Sequence, residues 1–95
     1  MAKVDPATMI AADEEVVGCQ LGEGSALLNL KSNIYYSLNE VGAFAWQEMS
    51  RPVSFEQLCC RTEAEFDAPS ARVRGDLADL VCQMDAAGLV KCFHA

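Results

Sequence analysis

Ile34-Tyr35-Tyr36-Ser37-Leu38, followed directly by Asn39-Glu40-Val41-Gly42-Ala43, is the stretch on which the fold turns. In its first half Ile34, Tyr36 and Leu38 fall on one side and Tyr35 and Ser37 on the other, the period-two pattern of a β-branched and aromatic strand. From Asn39 the period becomes helical. Asn39 is a good N-cap, since its side chain can accept a bond from a first-turn N–H, and Glu40 complements the positive end of the helix dipole. Val41, Phe44, Ala45 and Met49 then form one helical stripe with Trp46 beside it. A strand hands over to a helix here without an intervening loop.

Upstream, Val17, Cys19 and Leu21 share one parity, as expected for a half-buried strand. Gly22-Glu23-Gly24 supplies a tight reversal. Ala26, Leu28 and Leu30 form the next period-two set, with Leu27 on the other face, and Lys31-Ser32-Asn33 reads as a second turn. Three short strands joined in this way make an antiparallel meander. Downstream, Ser50-Arg51-Pro52 ends the first helix, because proline cannot continue the hydrogen-bond ladder. Ser54-Phe55-Glu56-Gln57 is a capping box that opens a second helix with an apolar stripe of Phe55, Leu58, Cys59, Thr62 and Phe66. After Asp67-Ala68-Pro69-Ser70, residues Val73, Leu77, Leu80, Val81 and Met84 mark a third helix closed by Gly88. Leu89, Val90 and Phe93 pack back as a short tail. The expected fold is α+β, a three-stranded antiparallel sheet followed by three helices, similar to a winged helix-turn-helix. Residues 1–14 are expected to form a flexible N-terminal segment and residues 15–95 a single domain.

The chain's 95 residues, 52% hydrophobic and 22% charged, suit one globular unit and exclude a disordered tail. Seven basic residues against 14 acidic ones give a net charge of −7. That balance argues against affinity built on phosphate neutralisation, and so against a nucleic-acid partner. Both helices that would read DNA are acidic on balance: Glu56, Glu63 and Glu65 oppose Arg61, and Asp76, Asp79 and Asp85 oppose Arg72 and Arg74. No apolar run is long enough to span a membrane, and the N-terminus lacks a secretory pattern, so the expected location is the cytoplasm.

Reactive chemistry is thin. Cys19, Cys59, Cys60, Cys82 and Cys92 include no C-x-x-C pair, and in a reducing compartment they read as small apolar residues rather than metal ligands. The single histidine, His94, is next to last, leaving no internal imidazole to serve as a general base. No phosphate loop is present. The expectation is a protein without catalytic residues, metal or cofactor.

What remains is a binding surface. The third predicted strand carries neither proline nor charge, the usual devices that blunt a sheet edge. An extended peptide can add to such an edge, main-chain bonds giving affinity and side-chain pockets selectivity. Arg72 and Arg74 are expected to supply positive charge beside the groove. The edge can also pair with a copy of itself, giving a homodimer.

Leu27-Leu28-Asn29-Leu30, then Ile34 through Ala43 with Trp46, then Val53-Ser54-Phe55-Glu56-Gln57-Leu58, Glu65-Phe66-Asp67, and the run from Val73 to Gly88-Leu89-Val90, together resemble the signature of PqqD-like proteins from about Val16 to Val90. That family comprises recognition elements for ribosomally made, post-translationally modified peptides. The resemblance implies a winged helix-turn-helix-like fold whose third strand receives the leader segment of a precursor peptide in a groove bordered by the third helix. It implies a contact strand of Ile34, Tyr35, Tyr36 and Ser37 and a helix wall of Arg72, Val73, Asp76, Leu77 and Leu80, with Arg72 or Asp76 facing leader charges. Charged substitution of Tyr35 or Leu77 is expected to weaken binding while the fold persists. The implied partners are the leader together with a leader peptidase and an ATP-dependent macrolactam cyclase in lasso-peptide systems, or a radical SAM enzyme in quinone-cofactor systems. The Tyr35-Tyr36-x-Leu38-Asn39-x-Val41-Gly42 form is nearer the lasso type. The rival reading is an acidic winged-helix regulatory module binding protein or DNA.

Overall fold

A computed structural model describes residues 4–21 and 24–94. Its elements are β1 (Thr8–Ala12), β2 (Val16–Leu21), β3 (Gly24–Asn29), β4 (Ile34–Leu38), α1 (Glu40–Glu48), β5 (Val53–Ser54), α2 (Phe55–Phe66), α3 (Ser70–Ala86) and β6 (Val90–His94). They build an α+β fold with two antiparallel sheets, one ordered β5-β1-β6 and the other β2-β3-β4. The second sheet is the expected meander, and the three helices follow it as expected. The Gly22-Glu23 part of the anticipated reversal lies outside the described residues.

Local chemistry explains most boundaries. Asn39 Oδ1 accepts from the Gly42 N–H at 2.9 Å and starts α1 directly after β4. The capping box before α2 is complete. Gln57 N–H donates to Ser54 Oγ at 3.1 Å, and Ser54 N–H donates to Gln57 Oε1 at 3.3 Å. α3 ends in a Schellman motif about Gly88, whose φ of 75° favours glycine. There Leu89 N–H reaches Met84 O at 2.8 Å and Gly88 N–H reaches Asp85 O at 3.1 Å.

The N-terminal segment departs from expectation. Residues 8–12, placed by the sequence in a flexible lead-in, form β1 at the centre of the first sheet. Thr8 through Ala12 lie opposite His94 through Val90, and Met9 and Ile10 lie opposite Ser54 and Val53. Ile10 is wholly buried in the core. Apolar burial and two flanking ladders thus hold the segment in place, and the domain begins well before residue 15. The short tail after Gly88 is correspondingly the strand β6. His94, at its end, lies 3.4 Å from Thr8 Oγ1 and 3.3 Å from Asp5 Oδ2.

A second departure concerns which face of the meander is inward. Leu27 is wholly buried, and its cross-strand neighbours are Gly18 and Tyr36, so this row faces the core. Val17 and Cys19, expected to be the half-buried set, are exposed. The reason lies in α1. A Cβ at Gly18 would sit 3.0 Å from Trp46 Nε1 and 3.5 Å from Leu27 Cδ2, so indole fills the space that a β2 side chain would otherwise occupy.

The core joins Ile10 and Leu27 to Ala45 and Met49 of α1 and its C-terminal flank, Leu58 and Cys59 of α2, Leu77, Val81 and Met84 of α3, and Leu89. Within α1 the buried positions are Gly42, Ala43 and Ala45, followed by Met49, whereas Val41 and Phe44 are half-buried at the flank. Phe44 meets Phe66 edge-on, with ring centroids 5.6 Å apart. This contact ties α1 to the end of α2. Thr62, buried in α2, donates its hydroxyl to Leu58 O at 2.8 Å and so satisfies itself within the helix.

Candidate peptide-binding groove

β4 lies at one edge of its sheet. It pairs with β3 from Asn29↔Ile34 to Ser25↔Leu38, and no described strand occupies its other side. In an antiparallel ladder alternate residues turn their N–H and C=O groups away from the partner, so this edge presents unfilled main-chain donors and acceptors. Tyr35 is 71% exposed and Ile34 49% exposed, with no charge or proline along the strand. Tyr36 and Leu38 turn inward and pack against the core.

The strand is held in place by Asn29. This buried side chain donates to Ala87 O and Gly88 O at 3.3 and 3.4 Å and accepts from the Lys31 and Ser32 N–H groups at 2.9 and 3.3 Å. One amide therefore fixes the turn that leads into β4 against the C-terminal end of α3.

Beyond the end of β4 opens a cleft of about 500 Å³. Arg72, Val73, Asp76, Leu77 and Leu80 of α3 all line it, so the five helix residues nominated from the sequence do converge on one surface. Ile34, Tyr35, Tyr36 and Ser37 are outside that lining. The connection between the two runs through Leu38, Asn39 and Gly42. Asn39 and Gly42 line the cleft, and a Cβ at Gly42 would lie 3.3 Å from both Cβ and Cδ2 of Leu38. The sequence reading missed Val41, Thr62, Phe66 and Asp79, which also line the cleft. Phe66 stood last in the stripe of α2 and Val41 first in that of α1, but only the docking of the two helix ends brings them together.

The charges at the cleft differ from expectation. Arg72 and Asp76 form an exposed i,i+4 pair at 3.8 Å, and Asp79 adds a second carboxylate. Arg74, expected to place positive charge beside the groove, is committed elsewhere. It binds Glu56 bidentately at 2.6 and 2.9 Å and lies 3.8 Å from Glu63 Oε2, a buried oxygen without a hydrogen-bond partner among the described residues. Paired charged hydrogen bonds of this kind are short and geometrically specific. The Arg74 hydrogen bonds hold the Glu56 carboxyl below its usual range and raise Arg74 in turn. This arrangement clamps α2 to α3. Nearby, desolvation pushes the Cys59 thiol up to about 11, as suits a core residue.

Among the described residues no group of three His, Cys, Asp or Glu side chains is placed to hold a metal, and no helix is long and apolar enough to cross a membrane. The arrangement offers main-chain bonding along β4 and, beyond its end, a cleft with an apolar floor and a charged rim of Arg72, Asp76 and Asp79.

An α+β domain with an open sheet edge running into a helix-walled cleft is the class these features define. The chain belongs to the PqqD family, coenzyme PQQ synthesis protein D, which matches residues 24–90. Two solved structures share the fold. One, described as TbiB1 in complex with the TbiA(beta) leader peptide, has a TM-score of 0.79 at 21% identity and covers 90% of this chain and 99% of that chain. The other, described as lasso peptide synthetase B1 complexed with the leader peptide, has a TM-score of 0.73 at 22% identity and covers 86% of this chain and 96% of that one. No curated protein sequence matches the chain.

Proposed function

We propose that the chain is a non-catalytic adaptor that binds the leader segment of a ribosomally made precursor peptide and delivers it to modifying enzymes. The leader adds as a strand to the open edge of β4 along Ile34–Ser37, and its side chains reach the cleft walled by Arg72, Val73, Asp76, Leu77 and Leu80. The open edge of β4 carries this reading, because an uncharged, proline-free edge leading into a partly apolar cleft suits an extended guest. Membership of the PqqD family supports it, as does the fold shared with two chains whose structures contain leader peptides. The lasso system named for one of those chains favours a leader peptidase and an ATP-dependent cyclase as the downstream enzymes over a radical SAM enzyme.

Fluorescence-anisotropy titration of a labelled leader, from the precursor of the same biosynthetic system, tests the proposal. Saturable binding at micromolar concentration or below is expected. No binding at tens of micromolar refutes it.

A further inference from the structure

The charged side chains lining the cleft are Arg72, Asp76 and Asp79, all on α3 and all exposed. With about 3.6 residues to a turn, they share one stripe of the helix, beside the stripe of Val73, Leu77 and Leu80 that descends to the floor. The floor has little polar capacity left for a guest. Thr62 spends its hydroxyl on Leu58 O, and Asn39 Oδ1 already accepts from the Gly42 N–H. Polar selectivity in the cleft therefore rests with its rim.

The three rim charges are not equivalent. Arg72 and Asp76 offset each other at 3.8 Å, whereas Asp79 enters no ion pair among the described residues. Arg74 is bound to Glu56 and does not line the cleft. The rim thus carries one uncompensated carboxylate. Arg72 and Asp79 stand about 10.5 Å apart along the helix axis, and same-face residues of an extended guest recur about every 6.8 Å. A guest extended along this wall sets one side chain over the Arg72–Asp76 pair and another over Asp79. The side chain suited to the second position has an apolar stem for the floor and a positive head for the carboxylate, the build of lysine and arginine. An acidic side chain there is repelled, and a purely apolar one strips water from Asp79 without replacing it.

Resting on the adaptor reading, we infer that Asp79 selects leaders that carry a lysine or arginine over the cleft, the alkyl stem lying on the apolar floor and the charged head meeting the Asp79 carboxylate. The Arg72–Asp76 pair, being self-compensated, takes a neutral neighbour. Main-chain pairing with β4 holds any extended guest, and Asp79 distinguishes among guests by charge.

The test titrates the labelled leader of the same biosynthetic system against the wild-type chain, Asp79→Asn, Asp79→Lys and Arg72→Gln, at low and at high salt. Asp79→Asn is expected to weaken binding about three- to fivefold at low salt and less than about twofold at high salt. Asp79→Lys is expected to weaken it about tenfold or more, whereas Arg72→Gln frees Asp76 for the same task and is expected to tighten it about twofold. Leaders in which each lysine or arginine is replaced singly by glutamine identify the partner. One such leader is expected to lose about three- to fivefold against the wild-type chain and nothing further against Asp79→Asn. This leader series needs only the wild-type chain if a variant misfolds. Unchanged or tighter binding by folded Asp79→Asn overturns the selection rule while leaving the adaptor reading intact. So does a leader series in which no single replacement weakens binding to the wild-type chain. A wild-type chain that binds no leader fails at the earlier step and takes both readings with it.

Discussion

Methylating the leader backbone one amide at a time isolates the main-chain contribution of β4 without altering the protein. The strand runs from Ile34 to Leu38 and, among the described residues, is paired on one side only. About two or three of its residues direct an N–H and a C=O outward, so a guest strand gains about four to six main-chain bonds. At about 1 kcal/mol net for each, the edge contributes about 4–6 kcal/mol before the cost of ordering the leader. An N-methyl group removes one donor and forces a methyl into the gap of about 4.8 Å between strands. Where a leader N–H points at β4, methylation is expected to weaken binding about fivefold from the lost bond alone, and tenfold or more with the steric intrusion. At the intervening positions the N–H points to solvent, and the effect is expected to stay within about twofold. Anisotropy titration of a methyl series across the leader reads this alternation directly. A uniform response, or one confined to the residues over the cleft, refutes strand addition even if the leader binds tightly.

Other outcomes follow from the groove and its supports. Leu80→Asp, at a half-buried cleft position, is expected to weaken leader binding tenfold or more with a small fall in Tm, both read by titration and thermal melting. Leu77 behaves differently because it is only 1% exposed. Leu77→Ala is expected to cost about 2–5 kcal/mol in urea unfolding, so a charged residue there tests folding rather than binding. Asn29→Ala leaves the carbonyls at the end of α3 and two turn amides without their partner. It is expected to lower stability by about 1–3 kcal/mol in the same assay. The depressed carboxyl of Glu56 stabilises the fold above the ordinary carboxylate pKa, and this contribution is lost as pH falls through the lower folded value. Tm measured from about pH 7 down to about pH 3 is therefore expected to drop less steeply for Glu56→Gln than for the wild type.

Much of this architecture is legible in the residues themselves, where the determinants are local. The change of period between Leu38 and Asn39, the Ser54–Gln57 box and Gly88 each act within one turn of chain, and each boundary appears where the sequence puts it. β1 was not legible because its partners, β5 and β6, stand far along the chain, the latter at its opposite end. Thr8-Met9-Ile10-Ala11-Ala12 also lacks aromatic residues, and its two alanines and a methionine dilute the strand signal of Thr8 and Ile10. The outward turn of Val17 and Cys19 was hidden for a different reason. Apolar alternation shows that a strand has two faces, but the choice between them was made by Trp46, on an element not yet folded against it. At the groove, periodicity in α3 marked Val73, Leu77 and Leu80, and Arg72 and Asp76 came only from the family resemblance, whereas the loss of Arg74 to Glu56 depends on how α2 and α3 dock.

The four hydrogen bonds of Asn29 give the groove a fixed gauge. Since they join the entry of one wall to the far end of the other, the spacing between strand edge and helix is set before any guest arrives. On the adaptor reading, a receptor already held at this point has less of its own chain to order on docking, and the leader bears more of that cost. On the same reading, a slot held to one width at this point selects for an extended backbone first and for particular side chains second.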